Sequence, residues 1–171
     1  MQPVQHKAIY TIGHSTHPVG VLIDMLQSFG IKVLADIRSY PGSKRYPHYN
    51  KEALRQTLES AGIQYLHFPD LGGKREPPAD ANAKKHPPFS GYKEHMATDA
   101  FVTAIAELQQ LAQTTPVAYM CAEANWRQCH RSLMSDYLKT AEWKVIHIKG
   151  KDKSEPHVMT APKLVQGRLF E

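Results

Sequence analysis

The feature that most constrains this chain is a regular alternation of short, almost wholly apolar runs with longer amphipathic segments. The runs are Ala8 to Ile12, Val33 to Ile37, Tyr65 to Phe68, Val117 to Cys121 and Val145 to Ile148. Near-continuous apolarity over so short a length suits strands covered on both faces, as in parallel sheets. The segments between them place residues at i, i+3, i+4 and i+7, the spacing of one helical face. Leu22, Met25, Leu26 and Phe29 do so, as do Leu54, Thr57, Leu58 and Ala61. Phe101, Ala104, Ile105 and Leu108 repeat it, and so do Met134, Tyr137, Leu138 and Ala141. Start signals agree: Thr16 and Pro18 before the first helix, Asn50 before the second, Asp99 before the third, and Asn125 with Gln128 before the fourth. Strands alternating with helices imply βαβ crossovers. The expectation is an α/β three-layer sandwich with a mostly parallel central sheet of about five strands.

The 171 residues fit one domain, 1–171, with two irregular parts. One is a loop over 70–98 carrying Gly72, Gly73, Pro77, Pro78, Pro87, Pro88 and Gly91 among Lys74, Arg75, Lys84 and Lys85. A loop this long usually has a function or lacks order. The other is the polar tail over 150–171. No apolar stretch is long enough to span a membrane as a helix. Met1 to Lys7 lacks the apolar core of a secretion signal, so the expected location is the cytoplasm. A disulfide between the two cysteines, Cys121 and Cys129, is conceivable, but in that compartment they are expected to stay reduced. The net charge is +5 and the pI about 9.2, which favours an anionic small molecule or nucleic acid as partner. No membrane partner is expected, and the oligomeric state is left open.

In open α/β sheets, ligands bind beyond the carboxyl ends of the strands. The residues following the expected strands are therefore the first place to look. They are Gly13-His14-Ser15-Thr16, Asp36-Ile37-Arg38-Ser39-Tyr40-Pro41, Asp70-Leu71-Gly72-Gly73-Lys74-Arg75, and the stretch from Cys121 through Glu123 and Arg127 to His130-Arg131. A helix beginning near Asn125 would put Arg127, His130 and Arg131 on one face of its first turns. Helix N-termini attract anions, and arginines there clamp phosphate or carboxylate; the same residues equally suit a solvated helix start. Asp36 and Glu123 are paired carboxylates suited to general acid–base work, or each salt-bridges a local arginine. His14 and His130 suit proton transfer. Arg45, among Lys44, Tyr46, His48 and Tyr49, suits phosphate contact with base stacking, or is an ordinary loop. Cys121 and Arg127 match the C-x5-R spacing of cysteine-dependent phosphatases. Against that, Glu123 and Trp126 are poor components of a phosphate cradle, and both cysteines fit a core role. Cys121, Glu123, Cys129, His130 and His14 have the types for zinc without its paired spacing. No cofactor and no metal ligand is assigned.

The ordered landmarks resemble those of a bacterial family known as domain of unknown function 488. They are Thr11-Ile12-Gly13-His14-Ser15, Asp36-Ile37-Arg38-Ser39-Tyr40-Pro41, Leu71-Gly72-Gly73, Gly91-Tyr92 with Met96, Cys121-Ala122-Glu123, Cys129-His130-Arg131, and Pro156-His157 with Thr160. The resemblance implies an α/β fold and a polar site built from these segments, and no particular reaction. The expected function is hydrolysis of a nucleotide or nucleic acid. Arg38, Arg45, Arg127 and Arg131 would hold phosphate beside Gly72 and Gly73. Glu123 or Asp36 would activate water, and His14 or His130 would move a proton. The loop over 70–98 would act as a lid. A non-catalytic anion or nucleic-acid binding module is the alternative. Its C-terminal Gln166, Leu169 and Phe170 resemble peptides that dock on bacterial sliding clamps. A cysteine-dependent phosphatase or sulfurtransferase is the third reading, with Cys121 as the nucleophile to block.

Overall fold

Every apolar run forms a strand, because both of its faces are covered. The computed structural model describes residues 7–73 and 90–159. Strands β1 (Ala8–Gly13), β2 (Val33–Asp36), β3 (Gln64–His67), β4 (Val117–Cys121) and β5 (Lys144–Gly150) pair in parallel. All four residues of β2 and all five of β4 are buried. Helices α1 (Val19–Ser28), α2 (Lys51–Ser60), α3 (Ser90–His95), α4 (Asp99–Ala112) and α5 (Arg131–Thr140) lie between and beside them.

The period of two along β4 divides the core. Ala118 and Met120 face α1 and α2, where they meet Leu22, Met25, Leu26, Leu54 and Leu58. Val117, Tyr119 and Cys121 face α4 and α5, against Phe101, Ile105, Leu108, Met134 and Leu138. Each fully buried leucine or phenylalanine contributes about 2 kcal/mol by leaving water. This is the expected three-layer sandwich.

The sheet has one more strand than the apolar runs supply. β6 (Lys153–Pro156) returns antiparallel on β5, and the strand order is β3-β2-β4-β1-β5-β6. Its residues are polar because it is an edge strand, exposed along most of its length.

Two helix starts differ from expectation. The cap of α4 is Thr98, whose hydroxyl accepts from the Phe101 amide at 3.2 Å. Asp99 follows in the first turn, where its charge suits the helix dipole. The fourth expected helix begins at Arg131, six residues beyond Asn125. Asn125 instead caps a 3-10 turn, Trp126–Gln128, accepting from the Arg127 amide at 3.0 Å.

Neighbours β1 and β4 send their chains to opposite sides. From β1 the chain passes through α1 to β2; from β4 it passes through α5 to β5. Because α1 and α5 cover opposite faces, a crevice opens between the carboxyl ends of β1 and β4.

Candidate active site

That crevice has a volume of about 700 Å³ and is lined by His14, Arg38, Tyr46, Gly73, Glu123, Cys121, Cys129 and His130, among others. A second hollow, of about 620 Å³, lies at the other end of the sheet beside Tyr10, Phe29 and Pro116. Among the described residues it has no comparable cluster of titratable groups.

At the floor of the crevice are two free thiols. Cys121 closes β4 and Cys129 stands two residues before α5, and their sulfurs are 2.7 Å apart. Both are almost wholly buried, at 2% and 4% exposure. Arg131 lies behind them, itself 1% exposed. Its Nε donates to Cys121 Sγ at 3.0 Å, its Nη1 to Thr11 Oγ1 at 2.8 Å, and its Nη2 to the carbonyls of Glu123 and Ala124 at 2.6 and 3.3 Å. Its backbone amide donates to Cys129 Sγ at 3.4 Å. Gly13 makes this possible. A Cβ there would stand 1.8 Å from the Glu123 carbonyl oxygen and 2.9 Å from Arg131 Nη2.

The pair divides its proton unequally. Burial pushes the Cys121 thiol well up, and the hydrogen bond to Cys129 adds to this. The hydrogen bond from Cys121 draws Cys129 down to about 4 against the cost of its burial, with help from His130 and Arg131. His130 Nδ1 is 3.5 Å from Cys129 Sγ. The opposite shifts favour the proton on Cys121 and the charge on Cys129, which stands just before a helix whose dipole and Arg131 amide favour an anion. Gly73 packs on the His130 ring, since a Cβ there would lie 2.3 Å from Nδ1. His130 Nε2 is buried and has no partner among the described residues.

A second cluster forms the opposite wall. Arg38 grips Asp36 with two bonds, Nε to Oδ1 at 2.9 Å and Nη2 to Oδ2 at 2.7 Å. The Tyr65 hydroxyl also donates to Asp36, and Arg38 Nη2 reaches the Tyr49 carbonyl at 2.8 Å. His14 Nδ1 donates to the Ser15 carbonyl at 2.9 Å, which leaves Nε2 facing Arg38 Nη1 at 3.4 Å. The His14 ring stacks on Tyr49 at 4.1 Å. Burial, with Arg38 nearby, holds its pKa at about 4 despite the Ser15 carbonyl, so at neutral pH it is an uncharged imidazole.

The expected site residues thus separate. His14, Arg38, Glu123, His130 and Gly73 meet in the crevice. Gly72 lies close by as a packing position, since a Cβ would stand 2.1 Å from Ser39 Oγ. Three expectations need correction. Arg127, His130 and Arg131 do not share a helical face, because α5 starts at Arg131. Arg131 is not among the residues lining the crevice: its guanidinium is committed to protein acceptors behind the sulfurs. Arg127 is turned elsewhere, 4.3 Å over the Trp126 ring and 3.4 Å from Glu155. Asp36 is fully buried between Arg38 and Tyr65, the ion-paired one of its two expected placements. Arg45 is exposed and lies over Tyr46 at 5.6 Å. Glu123 is exposed, and it is its backbone carbonyl that serves Arg131.

The arginine belonging to Cys121 is Arg131 rather than the Arg127 of the C-x5-R spacing. Among the described residues, no three His, Cys, Asp or Glu side chains converge as metal ligands. No described helix is long and apolar enough to cross a membrane. Residues 74–89, which hold most of the expected lid, and the tail with Thr160, Gln166, Leu169 and Phe170 lie outside the described residues. From sequence a core role is favoured for both cysteines, with Cys121 as a nucleophile only in the third reading and Cys129 given no chemistry of its own. The available signal was the pairing of a strand-end cysteine with a second one two residues ahead of an arginine.

Fold and site together define an open, mostly parallel α/β protein with two thiols and a buried arginine at the carboxyl ends of its strands. The chain belongs to the family described as Domain of unknown function DUF488, whose model matches residues 19–138. No curated protein and no solved structure matches it. The landmarks from Asp36 to Arg131 fall inside the matched span. Thr11 to Ser15 and Pro156-His157 fall outside it.

Proposed function

We propose that this protein is a cysteine enzyme that reduces sulfur–sulfur bonds in anionic substrates, with Cys129 as nucleophile and Cys121 as the thiol that resolves the adduct. The observation that carries this reading is the 2.7 Å contact between Cys121 Sγ and Cys129 Sγ under the Arg131 guanidinium. A second thiol so close to a thiolate suits attack on sulfur, because the adduct is then a disulfide that the second thiol can displace. Closing a disulfide of about 2.05 Å asks the sulfurs to approach by only about 0.7 Å.

The steps balance. The Cys129 thiolate attacks one substrate sulfur; a mixed disulfide forms, the substrate S–S bond breaks, and the electron pair leaves on the other sulfur. Cys121 then attacks Cys129 Sγ. Its proton passes to the substrate thiolate released in that step, and solvent protonates the first. Substrate is reduced to two thiols and the protein is oxidised to the Cys121–Cys129 disulfide. A dithiol reductant of the kind present in the cytoplasm, where we place the protein, reverses the exchange. Arg38 Nη1, left over from the bonds of Nε and Nη2 to Asp36 and Tyr49, faces the crevice beside neutral His14 and is the donor an anionic group on the substrate would meet.

The carboxylate-base hydrolysis of nucleotides draws less support, since Asp36 is locked in an ion pair and Arg131 faces away from any ligand. Phosphatase chemistry suffers in the same way, because the arginine nearest the sulfur is spent on Thr11 and two carbonyls.

The test uses 5,5′-dithiobis(2-nitrobenzoate), an anionic disulfide. The native protein should release a thionitrobenzoate anion for each cysteine and end as an internal disulfide. Cys121→Ser should release one and retain the other on Cys129, visible by mass. If Cys129→Ser reacts as fast as the native protein, the reading fails.

A further inference from the structure

Behind Arg131 runs a line of buried hydrogen bonds that the chemistry above does not use. Arg131 Nη1 donates to Thr11 Oγ1 at 2.8 Å, and Thr11 Oγ1 is 2.7 Å from His147 Nδ1. His147 Nε2 is 2.9 Å from His157 Nδ1, and His157 Nε2 is 2.7 Å from Asp136 Oδ1. Thr11, His147 and His157 are at most 2% exposed. Arginine only donates and a carboxylate only accepts. With both imidazoles neutral, His157 donates to Asp136, His147 to His157 and Thr11 to His147, while Thr11 accepts from Arg131.

The surroundings pack both imidazoles closely. Trp126 stacks on His147 at 4.2 Å, nearly parallel, and is itself anchored by Nε1 to Glu155 at 3.0 Å. Glu155 also meets Arg127 and Lys149. Lys139 Nζ donates to the His157 carbonyl at 2.9 Å. Burial, with His157, Arg131, Arg127 and Lys149 around it, keeps His147 uncharged, its pKa held down at about 2.

We propose that Asp136, His157, His147 and Thr11 form a positioning network that holds Arg131 against the thiol pair and so sets the reactivity of Cys129. Asp136 is on α5, five residues beyond Arg131, and its side chain is 15% exposed. The network ties α5, β1, β5 and the chain after β6 to a single guanidinium. None of its members touches substrate. This inference rests on the reading of Cys129 as a reactive thiolate.

The experiment is the pH profile of Cys129 alkylation by iodoacetamide, located by peptide mass spectrometry, in proteins whose fold is checked by circular dichroism and unfolding midpoint. Asp136→Asn should raise the midpoint of the profile by about one pH unit, and Thr11→Val, which removes the acceptor without changing shape, by at least as much. Asp136→Glu should restore the native profile. The double variant should shift no further than Thr11→Val alone, because both act through one chain of contacts.

The sign is diagnostic. A remote carboxylate acting only through its charge would, on removal, favour the thiolate and lower the midpoint. A lowered or unmoved midpoint in Asp136→Asn overturns the inference and leaves the thiolate reading intact. If Asp136→Asn does not fold, His157→Gln carries the same expectation and the same overturning result. A native protein whose Cys129 alkylates with the midpoint of an ordinary thiol, about 8.5, overturns the thiolate reading and this inference with it.

Discussion

Two cysteines in this protein have opposite fates because of a few ångströms of surroundings. Cys121 sits on the strand with burial as its dominant influence; Cys129 sits at a helix start, where the Cys121 thiol, His130 and the Arg131 amide all point at its sulfur. Arg131 joins them through a planar fork that serves Cys121, Thr11 and the Glu123 carbonyl together. A lysine has one ammonium and cannot reach all three. Arg131→Lys should therefore cost about 2 kcal/mol in urea unfolding and raise the alkylation midpoint of Cys129. An unchanged urea midpoint would show that the fork is dispensable. Gly13 is the other residue fixed by this geometry. Gly13→Ala should destabilise by about 3 kcal/mol, since the new methyl group would overlap backbone at the Glu123 carbonyl. Native-like stability with undisturbed thiol reactivity would refute this.

At the scale of elements, the helices are bounded by local chemistry that can be adjusted. The Thr98 cap holds the first turn of α4. Thr98→Ala should lower stability by about 1 kcal/mol. The C-terminal ends differ among helices. After α1 and α2 the chain turns through glycines in the left-handed region, Gly30 at φ 68° and Gly62 at φ 82°. After α5 the same turn is made by Glu142 at φ 72°, where a Cβ is disfavoured. Glu142 is exposed, so Glu142→Gly should raise stability by about 1 kcal/mol. Chemical unfolding of the two variants should move in opposite directions; movement in the same direction would refute one of the two assignments.

For the whole molecule the relevant lever is pH. His14 and His147 are buried and uncharged, held at about 4 and about 2 against an unfolded value of 6.5. Between 6.5 and those values the unfolded chain binds protons that the folded one refuses, so stability falls as pH falls. At pH 5 the two histidines together should have removed roughly 4 kcal/mol of the stability present at pH 7.5. Replacing His14 by Gln should flatten part of that slope in urea titrations between pH 7.5 and 5. A slope identical to that of the native protein would mean that His14 titrates normally. Cys129 acts in the same sense over a different range: its stabilisation is full above the unfolded thiol value and is lost as pH falls toward about 4.

Five of the described strands and four of the described helices were legible from the residues alone, because near-continuous apolar runs and apolar residues three and four apart are each buried most readily in one way; α3 falls inside the stretch 70–98 expected as loop. Val33 to Asp36 and Val117 to Cys121 could hardly be anything but interior strands. The sequence also pointed to the carboxyl ends of the strands, where the crevice lies, since a parallel sheet opens there. The polar β6 was not legible, because an edge strand is defined by the neighbour it pairs with rather than by its own pattern. Nor were the roles of the site residues. Those were decided by register: Gly13 beside Cys121 and Thr11 beside His147 across β1. That alignment puts Arg131 between a thiol and a hydroxyl instead of before a ligand. It also brings together residues as distant along the chain as Thr11 and Arg131, which no local spacing connects. Contacts that are short in space and long in sequence are set by how strands align and helices pack, and only the tertiary structure supplies that alignment.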